Sequence, residues 1–149
     1  MSYVCREYDV GTADVFAILL DPASYPEWLI GAKAIRSIDE SWPEPGSRFH
    51  HRVGLGALTI SDCTEVLAVE PPSMLQLRVR ARPLIAGVVT FRVVGNGERC
   101  VVVMEEEPAR RVIGNLVRPV MDPATHVRNH RSLRRLGASV ARREGPTHG

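Results

Sequence analysis

The chain has 149 residues, the usual size of one domain, and its 44% hydrophobic and 24% charged residues exclude a disordered protein. Its longest apolar runs, such as Val15–Leu20, are far shorter than the roughly 18 residues that a membrane span needs, so membrane insertion is not expected. The N-terminus lacks the basic start and the apolar stretch of a signal peptide, which predicts a cytoplasmic protein.

The net charge of +2 is unevenly distributed. Residues 1–108 carry ten basic and fifteen acidic side chains, whereas residues 109–149 carry nine arginines against Asp122 and Glu144. Such an asymmetry can mark an anionic partner, or a basic outer helix face that lies on an acidic body, which is the interpretation we favour. Aromatic residues that could stack on bases are missing from the basic segment, so no nucleic acid is expected as a partner.

The cysteines and histidines do not predict a metal site. Cys5, Cys63 and Cys100 are odd in number and widely spaced, without the close pairs that zinc sites use, so three reduced thiols are expected. His126 and His130 share a helical face, but a third ligand is not evident. We therefore predict no metal and no cofactor.

The N-terminal segment reads as one strand and two short helices. Alternation over Tyr3–Val10 predicts the strand. Thr12 is a suitable N-cap for a helix over Ala13–Leu20. Asp21-Pro22 then starts a second helix, which must end before Pro26 or be rebuilt around it.

The middle of the chain reads as an antiparallel meander of six strands. Leucine and valine alternate with arginine from Met74 to Arg82, so one face of the sheet must be buried and the other solvated. Gly95-Asn96-Gly97-Glu98 is a strong hairpin loop. The predicted strands are Lys33–Ile38, Ser47–Val53, Leu58–Val69, Met74–Arg82, Ile85–Val94 and Arg99–Glu106.

A long helix follows, and its apolar stripe can cover the buried face of the sheet. Asp122-Pro123 is a cap followed by proline, and the helix runs to about Arg143, with Leu133, Leu136 and Val140 on one side and Val127 behind them. Residues 109–121 are ambiguous. The predicted fold is α+β, a seven-stranded antiparallel sheet curled around the C-terminal helix. Its parts are a strand over 1–10, two short helices over 12–29, six strands over 33–107, a helix over 122–143 and a frayed tail over 144–149.

This order, together with particular residues, resembles the START-like or helix-grip superfamily and its polyketide cyclase/dehydrase (SRPBCC) group. The most specific motif is Asp21-Pro22 followed by Tyr25-Pro26-Glu27-Trp28. Glu70-Pro71-Pro72, Met104-x-Glu106 and Asn129…Ser132-Leu133-x-x-Leu136 also match. The resemblance covers the chain to about Ala141. It implies a single domain, 1–149, with an internal pocket for a small hydrophobic molecule, since members bind lipids, plant hormones, quinones or polyketide intermediates and some catalyse cyclisation or dehydration.

Two residues could carry chemistry in such a pocket. If Phe49 faces inward, alternation also turns His51 inward, where it could position a ligand carbonyl, transfer a proton or simply be a core histidine. Both faces of the last strand are apolar, and by the resemblance we place Met104 and Glu106 inside rather than Glu105. A buried Glu106 would need a cationic partner or a raised pKa, and a solvated strand end is the alternative.

Predicted faces and the resemblance together give the ligand-binding residues. They are Trp28, Phe49, Leu77, Val79, Phe91, Met104, His130, Leu133 and Gly137. His130 is expected at the pocket entrance. Gly137 either lets the helix approach the sheet closely or leaves space for a ligand.

Two functions remain open at this point. The first is binding of a polyketide-like, aromatic or lipid molecule, with His51 and Glu106 as proton-transfer groups if a cyclase or dehydratase reaction occurs. The second is a protein–protein interaction module of the same fold that docks through the basic segment 109–143. The sequence does not decide between a monomer and a homodimer.

Overall fold

The computed structural model describes residues 2–55, 57–81, 85–108 and 118–143. Over these ranges the chain forms a seven-stranded antiparallel sheet, short helices after the first strand and a long C-terminal helix, which confirms the predicted α+β helix-grip fold. The strands are β1 (Ser2–Tyr8), β2 (Ala32–Ile38), β3 (Arg48–Leu55), β4 (Leu58–Glu70), β5 (Met74–Ala81), β6 (Ile85–Gly95) and β7 (Cys100–Pro108). The helices are α1 (Thr12–Leu19), a 3-10 helix (Pro22–Ser24), α2 (Tyr25–Trp28) and α3 (Arg118–Arg143).

The sheet order is β1-β7-β6-β5-β4-β3-β2, so the first strand pairs with the last. One face of the sheet, here called the inner face, carries the buried side chains. Leu75, Phe91, Met104 and Val4 pair in register across four neighbouring strands, and each is at most 4% exposed. The core therefore begins as one apolar row that crosses these strands.

Helix α3 supplies the other side of this core. Leu133 and Leu136 are fully buried and Val140 is 1% exposed, which confirms the predicted apolar stripe at these three positions, whereas Val127 is 50% exposed. The Tyr8 hydroxyl of β1 donates to the carbonyl of Leu133, and the Ile30 amide donates to the Ser132 hydroxyl at 3.0 Å. Both bonds attach to the same turn of α3, which is thereby fixed to β1 and to the chain after α2.

The start of α1 differs from the prediction. Thr12 does not cap the helix; it is the first helical residue, and the N-cap is Gly11, without a side-chain cap bond. The Thr12 amide instead donates to the carbonyl of Asn96 in the β6–β7 loop at 2.9 Å. A Cβ at position 11 would lie 2.5 Å from the carbonyl oxygen of Gly97, so this close loop contact requires glycine.

The helical structure continues through Pro26 instead of ending before it. The 3-10 helix passes directly into α2, where Pro26 occupies the first turn and needs no amide partner. Asp21 is the N-cap of the 3-10 helix as predicted, although its carboxylate does not cap it. That carboxylate pairs with Arg143 at 3.0 Å, which ties this turn to the end of α3.

Helix α3 begins at Arg118, four residues before the predicted start. Pro119 is therefore inside the first turn, where a missing amide costs nothing, instead of breaking the chain. The expectations for 109–117 and for the tail 144–149 lie outside the described residues. Among the helices in the described ranges, none combines the length and the apolar composition that crossing a membrane requires.

Candidate functional site

Five of the eight aromatic residues form one cluster, here called the aromatic cluster: Tyr25, Trp28, Trp42, Phe49 and Phe91. The ring centroids of Tyr25 and Trp28 are 5.1 Å apart, and Tyr25 lies 5.4 Å from Phe49. Trp42 lies 5.2 Å from Phe49, and Trp28 lies 5.9 Å from Phe91. All four contacts are edge-to-face, the arrangement that the ring quadrupoles favour. The predicted site residues Trp28, Phe49 and Phe91 are therefore together.

The polar atoms of the aromatic cluster are already bonded to the neighbouring backbone and to Ser24. Trp28 Nε1 donates to Ser24 Oγ at 3.1 Å, and Trp42 Nε1 donates to the carbonyl of Leu20 at 2.8 Å. The Tyr25 hydroxyl donates to the carbonyl of Leu19. Burial raises the pKa of Tyr25, so this phenol stays protonated. The cluster thus offers apolar ring surface and no free donor.

His51 lies beside this cluster and faces inward, as predicted. It is 3% exposed, and its ring centroid is 5.6 Å from that of Phe49. Its Nε2 is 2.9 Å from the hydroxyl oxygen of Thr64. Its Nδ1 is buried and has no hydrogen-bond partner, and among the described residues it is the one buried side-chain nitrogen or oxygen in that condition.

The register of β3 and β4 explains this arrangement. Phe49 lies opposite Thr64, and His51 lies opposite Asp62, so alternation places all four side chains on the inner face. Burial lowers the pKa of His51 below its ordinary value of 6.5, and the Cys63 backbone and the Asp62 carboxylate oppose this only in part. The imidazole is therefore neutral at pH 7.

Glu106 also lies on the inner face, in agreement with the preference for it over Glu105. Its carboxylate contacts the guanidinium of Arg128, and its Oε2 accepts a hydrogen bond from Asn129 Nδ2 at 2.8 Å. The two charged side chains are 16% and 30% exposed, so the ion pair is largely removed from water. The strand end is not a solvated one, and Glu106 has the cationic partner that a buried carboxylate needs.

The remaining predicted ligand-binding residues of the inner face and of α3 differ in how deeply they are buried. Leu77, Met104 and Leu133 are each at most 2% exposed. Val79, which lies opposite Thr64 and Gly87, is only half-buried. The half-buried inner-face residues near His51, here called the half-buried end, are Ile35, Asp62, Val79 and Gly87. Among the described inner-face residues, His51 is itself 3% exposed but has half-buried neighbours.

The structure corrects the expectation for His130. Both His130 and His126 are exposed on the outer face of α3, whereas Asn129 and Ser132 are fully buried. One residue turns a helix by about 100°, so the stripe that contains Leu133 also contains Asn129 and leaves His130 outside. Among described residues, no group of three His, Cys, Asp or Glu side chains could hold a metal ion.

Gly137 serves the close approach of helix and sheet, which was one of its two predicted roles. A Cβ there would lie 2.6 Å from Cε1 of Tyr8 and 3.0 Å from its Cδ1. The Tyr8 ring fills the space beside Gly137, so this glycine is not a ligand contact in the structure.

Sequence reasoning missed three residues of the site. Thr64 and Asn129 are buried partners of His51 and Glu106, and Arg128 forms the ion pair with Glu106. The position of Thr64 opposite Phe49 could have identified it once the hairpin register was known. Asn129 is part of the motif that carried the resemblance, where its spacing to Leu133 indicates the buried stripe.

The chain is similar to known proteins in both sequence and structure. Residues 4–141 match the family model described as polyketide cyclase/dehydrase and lipid transport. The sequence matches none of the curated proteins with which it was compared. An aromatase/cyclase from a Streptomyces species has a similar structure, with a TM-score of 0.78, 13% identity and coverage of 99% of this chain and 96% of that one.

Two further structures are similar. A conserved protein from Geobacillus kaustophilus gives a TM-score of 0.72 at 15% identity over 94% of both chains. A START superfamily protein from Mycobacterium smegmatis gives 0.71 at 13% identity, covering 94% of this chain and 96% of that one. At identities this low, the structural likeness shows a shared fold alone. With the family match over nearly its whole length, the chain belongs to the polyketide cyclase/dehydrase and lipid transport family.

Proposed function

We propose that this chain, as one domain, binds a small aromatic or polyketide-like molecule on the inner face, at the half-buried end beside His51. The observation that carries the proposal is the buried Nδ1 of His51, which has no partner among the described residues. A buried polar group left unpaired costs about 1–3 kcal/mol. A ligand that pairs with Nδ1 would recover this free energy. A histidine that only fills the core would be expected to have both nitrogens paired.

The surroundings of His51 support an aromatic ligand. The Phe49 ring is 5.6 Å from the imidazole and belongs to the aromatic cluster, whose own polar atoms are already bonded. Ligand sites of this kind combine apolar and aromatic walls with a few placed polar groups. The family description and the Streptomyces aromatase/cyclase favour the same ligand class.

If the protein is an enzyme, we propose His51 as the proton-transfer or ligand-positioning group. Its neutral imidazole can accept or donate a proton near pH 7. Glu106 remains a predicted second group, but both of its contacts, with Arg128 and Asn129, already join β7 to α3. We therefore expect a larger effect on turnover from His51 than from Glu106.

Binding of the anthraquinone emodin tests this proposal. We expect micromolar binding by the wild-type protein in isothermal titration calorimetry, and binding at least several-fold weaker in His51→Phe. The matched control is His50→Phe, because His50 lies next to His51 on the opposite face of β3. Absence of binding, or equal losses in the two variants, would contradict the proposal.

The second candidate function is docking of an acidic protein on the outer face of α3. Arg131, Arg134 and Arg135 are exposed there and form no ion pair with other described residues. A charge-reversed variant, Arg134→Glu with Arg135→Glu, would abolish such an interaction without changing emodin binding. Loss of a partner in pull-downs from the host at low salt would favour this function.

A further inference from the structure

The Thr64 hydroxyl determines which nitrogen of His51 carries the proton. Thr64 is 2% exposed, and among described residues its one hydrogen-bond partner is His51 Nε2 at 2.9 Å. A hydroxyl has a single proton to donate. If Nε2 carried the proton and donated to Thr64, the Thr64 hydroxyl proton and the bare Nδ1 would both be buried without a described partner, whereas donation by Thr64 leaves only the Nδ1–H unpaired. The Thr64 hydroxyl therefore donates, and Nε2 accepts.

The proton of the imidazole must then be on the other nitrogen. Burial keeps His51 neutral, and a neutral imidazole carries one N–H. Because Nε2 accepts from Thr64, that N–H is at Nδ1, where no described residue accepts it. The Asp62 carboxylate lies opposite His51, but its Oδ1 accepts from the Cys63 amide at 2.9 Å. His51 thus carries an unpaired donor on the inner face.

We propose that the site selects ligands that carry a hydrogen-bond acceptor oxygen, such as a ketone or quinone carbonyl, and that Thr64 sets this selectivity by holding His51 as the Nδ1–H tautomer. This rests on the proposed function, and it adds the chemical class of the ligand. The opposite tautomer would present a bare acceptor and would select hydroxyl groups instead. Thr64 is a positioning residue, because it acts on the ligand through His51.

The selectivity follows from the same physical rule that governs other buried polar sites. A site built to hydrogen-bond one group of a ligand discriminates against the analogue that lacks this group, because its own polar atom is then left unpaired. A carbonyl satisfies a buried N–H donor, and a methylene at the same position does not. The discrimination should therefore disappear when the donor or its orientation is lost.

The tautomer is tested first, without any ligand. Nitrogen NMR of histidine-labelled protein is expected to show His51 protonated at Nδ1 and unprotonated at Nε2, with the signals assigned by their loss in His51→Phe. Thr64→Ser keeps a hydroxyl and should keep this pattern, whereas Thr64→Val removes the donor and should shift protonation toward Nε2. A wild-type His51 protonated at Nε2 would overturn the inference, and this readout does not need the valine variant to fold.

The ligand class is tested with 1-tetralone and tetralin, which share a skeleton and differ in one carbonyl. Calorimetry should give a ratio of affinities, ketone over hydrocarbon, that is about tenfold larger for the wild type than for Thr64→Val and His51→Phe. Thr64→Ser should keep most of the wild-type ratio. Comparing ratios between variants removes the difference in hydration of the two probes.

The outcomes separate the two proposals. If both probes bind with the same ratio in all variants, the inference about Thr64 and the carbonyl fails while the proposed binding function stands. If neither probe binds the wild-type protein, the proposed function fails, and this inference fails with it. A ratio that falls in Thr64→Val but not in Thr64→Ser supports both.

Discussion

His51 differs from an ordinary core histidine in the way its two nitrogens are used. Nε2 is bonded to Thr64, while Nδ1 is buried without a described partner. A histidine that only fills space would be expected to satisfy both atoms or to leave one in water. The free energy left at Nδ1 is what a bound carbonyl can recover, and it links the packing of β3 and β4 to function.

The same burial makes the stability of the protein depend on pH. The pKa of His51 is lowered in the folded state, while the unfolded chain has the ordinary value of 6.5. Between these two pKa values the unfolded state binds more protons, so the free energy of unfolding falls as the pH falls. This loss is at most about 1.4 kcal/mol for each pH unit.

Urea unfolding between about pH 8 and about pH 5 measures this effect. We expect the free energy of unfolding to fall less steeply below pH 6.5 in His51→Gln than in the wild type. Val94→Gln, which changes an exposed residue that does not titrate, should keep the wild-type slope. Equal slopes in the wild type and His51→Gln would show that His51 is not a neutral buried group.

For single residues, the sequence predicts which face of the sheet a side chain occupies better than it predicts the hydrogen-bond partner of that side chain. Period-two alternation correctly turned Phe49 and His51 inward. The partner of His51 lies thirteen residues away on another strand, and finding it needs the register of the hairpin. His130 failed for a related reason, since a phase error of one residue in a helix exchanges an exposed position for the buried position of Asn129.

At the scale of the elements, a polar connection joins β7 to α3. Glu106 contacts Arg128 and Asn129, and Asn129 Nδ2 also lies 3.5 Å from Ser2 Oγ on β1. Because two strands and the helix meet here, the connection fixes the position of α3 along the sheet. An apolar stripe alone would tolerate sliding more readily.

Removing one partner should therefore be costly. Arg128→Met keeps an apolar stem but leaves Glu106 largely buried with only Asn129, and we expect a loss of about 1–3 kcal/mol, below the cost in a fully buried pair because both side chains are partly exposed. Arg131→Met is the control, since Arg131 is exposed, and it should change stability by less than about 0.5 kcal/mol. Urea denaturation measures both, and equal losses would contradict this role for Arg128.

Most element boundaries follow from residue pattern, and the exceptions have local causes. The strands end within two residues of their predicted limits, because alternation and turn residues act locally. Thr12 was wrong as a cap because the helix starts one residue earlier, with Gly11 as N-cap against the distant loop of Asn96 and Gly97. The start of α3 was predicted too late because Asp122-Pro123 was taken as its cap and first position, whereas Pro119 already lies in the first turn.

At the scale of the whole molecule, the basic helix α3 forms ion pairs with the more acidic part of the chain that precedes it. Arg142 and Arg143 of α3 pair with Glu27 and Asp21 near α2, and Arg128 pairs with Glu106 of the sheet. This agrees with a basic helix lying on an acidic body. The Arg142–Glu27 pair at 3.9 Å is more than half exposed on both sides, so its contribution to stability is small.

The inner face has a closed end and a half-buried end. The row from Val4 to Leu75 is almost completely buried, while Val79 and Asp62 near His51 are only half-buried. The order of elements in the sequence predicted that α3 covers this face. It could not show where the coverage is incomplete, because that depends on how side chains from the seven strands and the helices fill the same space.

The central claim is that a small aromatic molecule binds on the inner face beside His51. The most direct measurement is methyl NMR of protein labelled at valine, leucine and methionine, titrated with 1-tetralone. The account predicts that signals of Leu77 and Val79 shift with the probe while the exposed Val94 and Val127 do not. Shifts confined to Val94 and Val127, or no shifts at all, would contradict it.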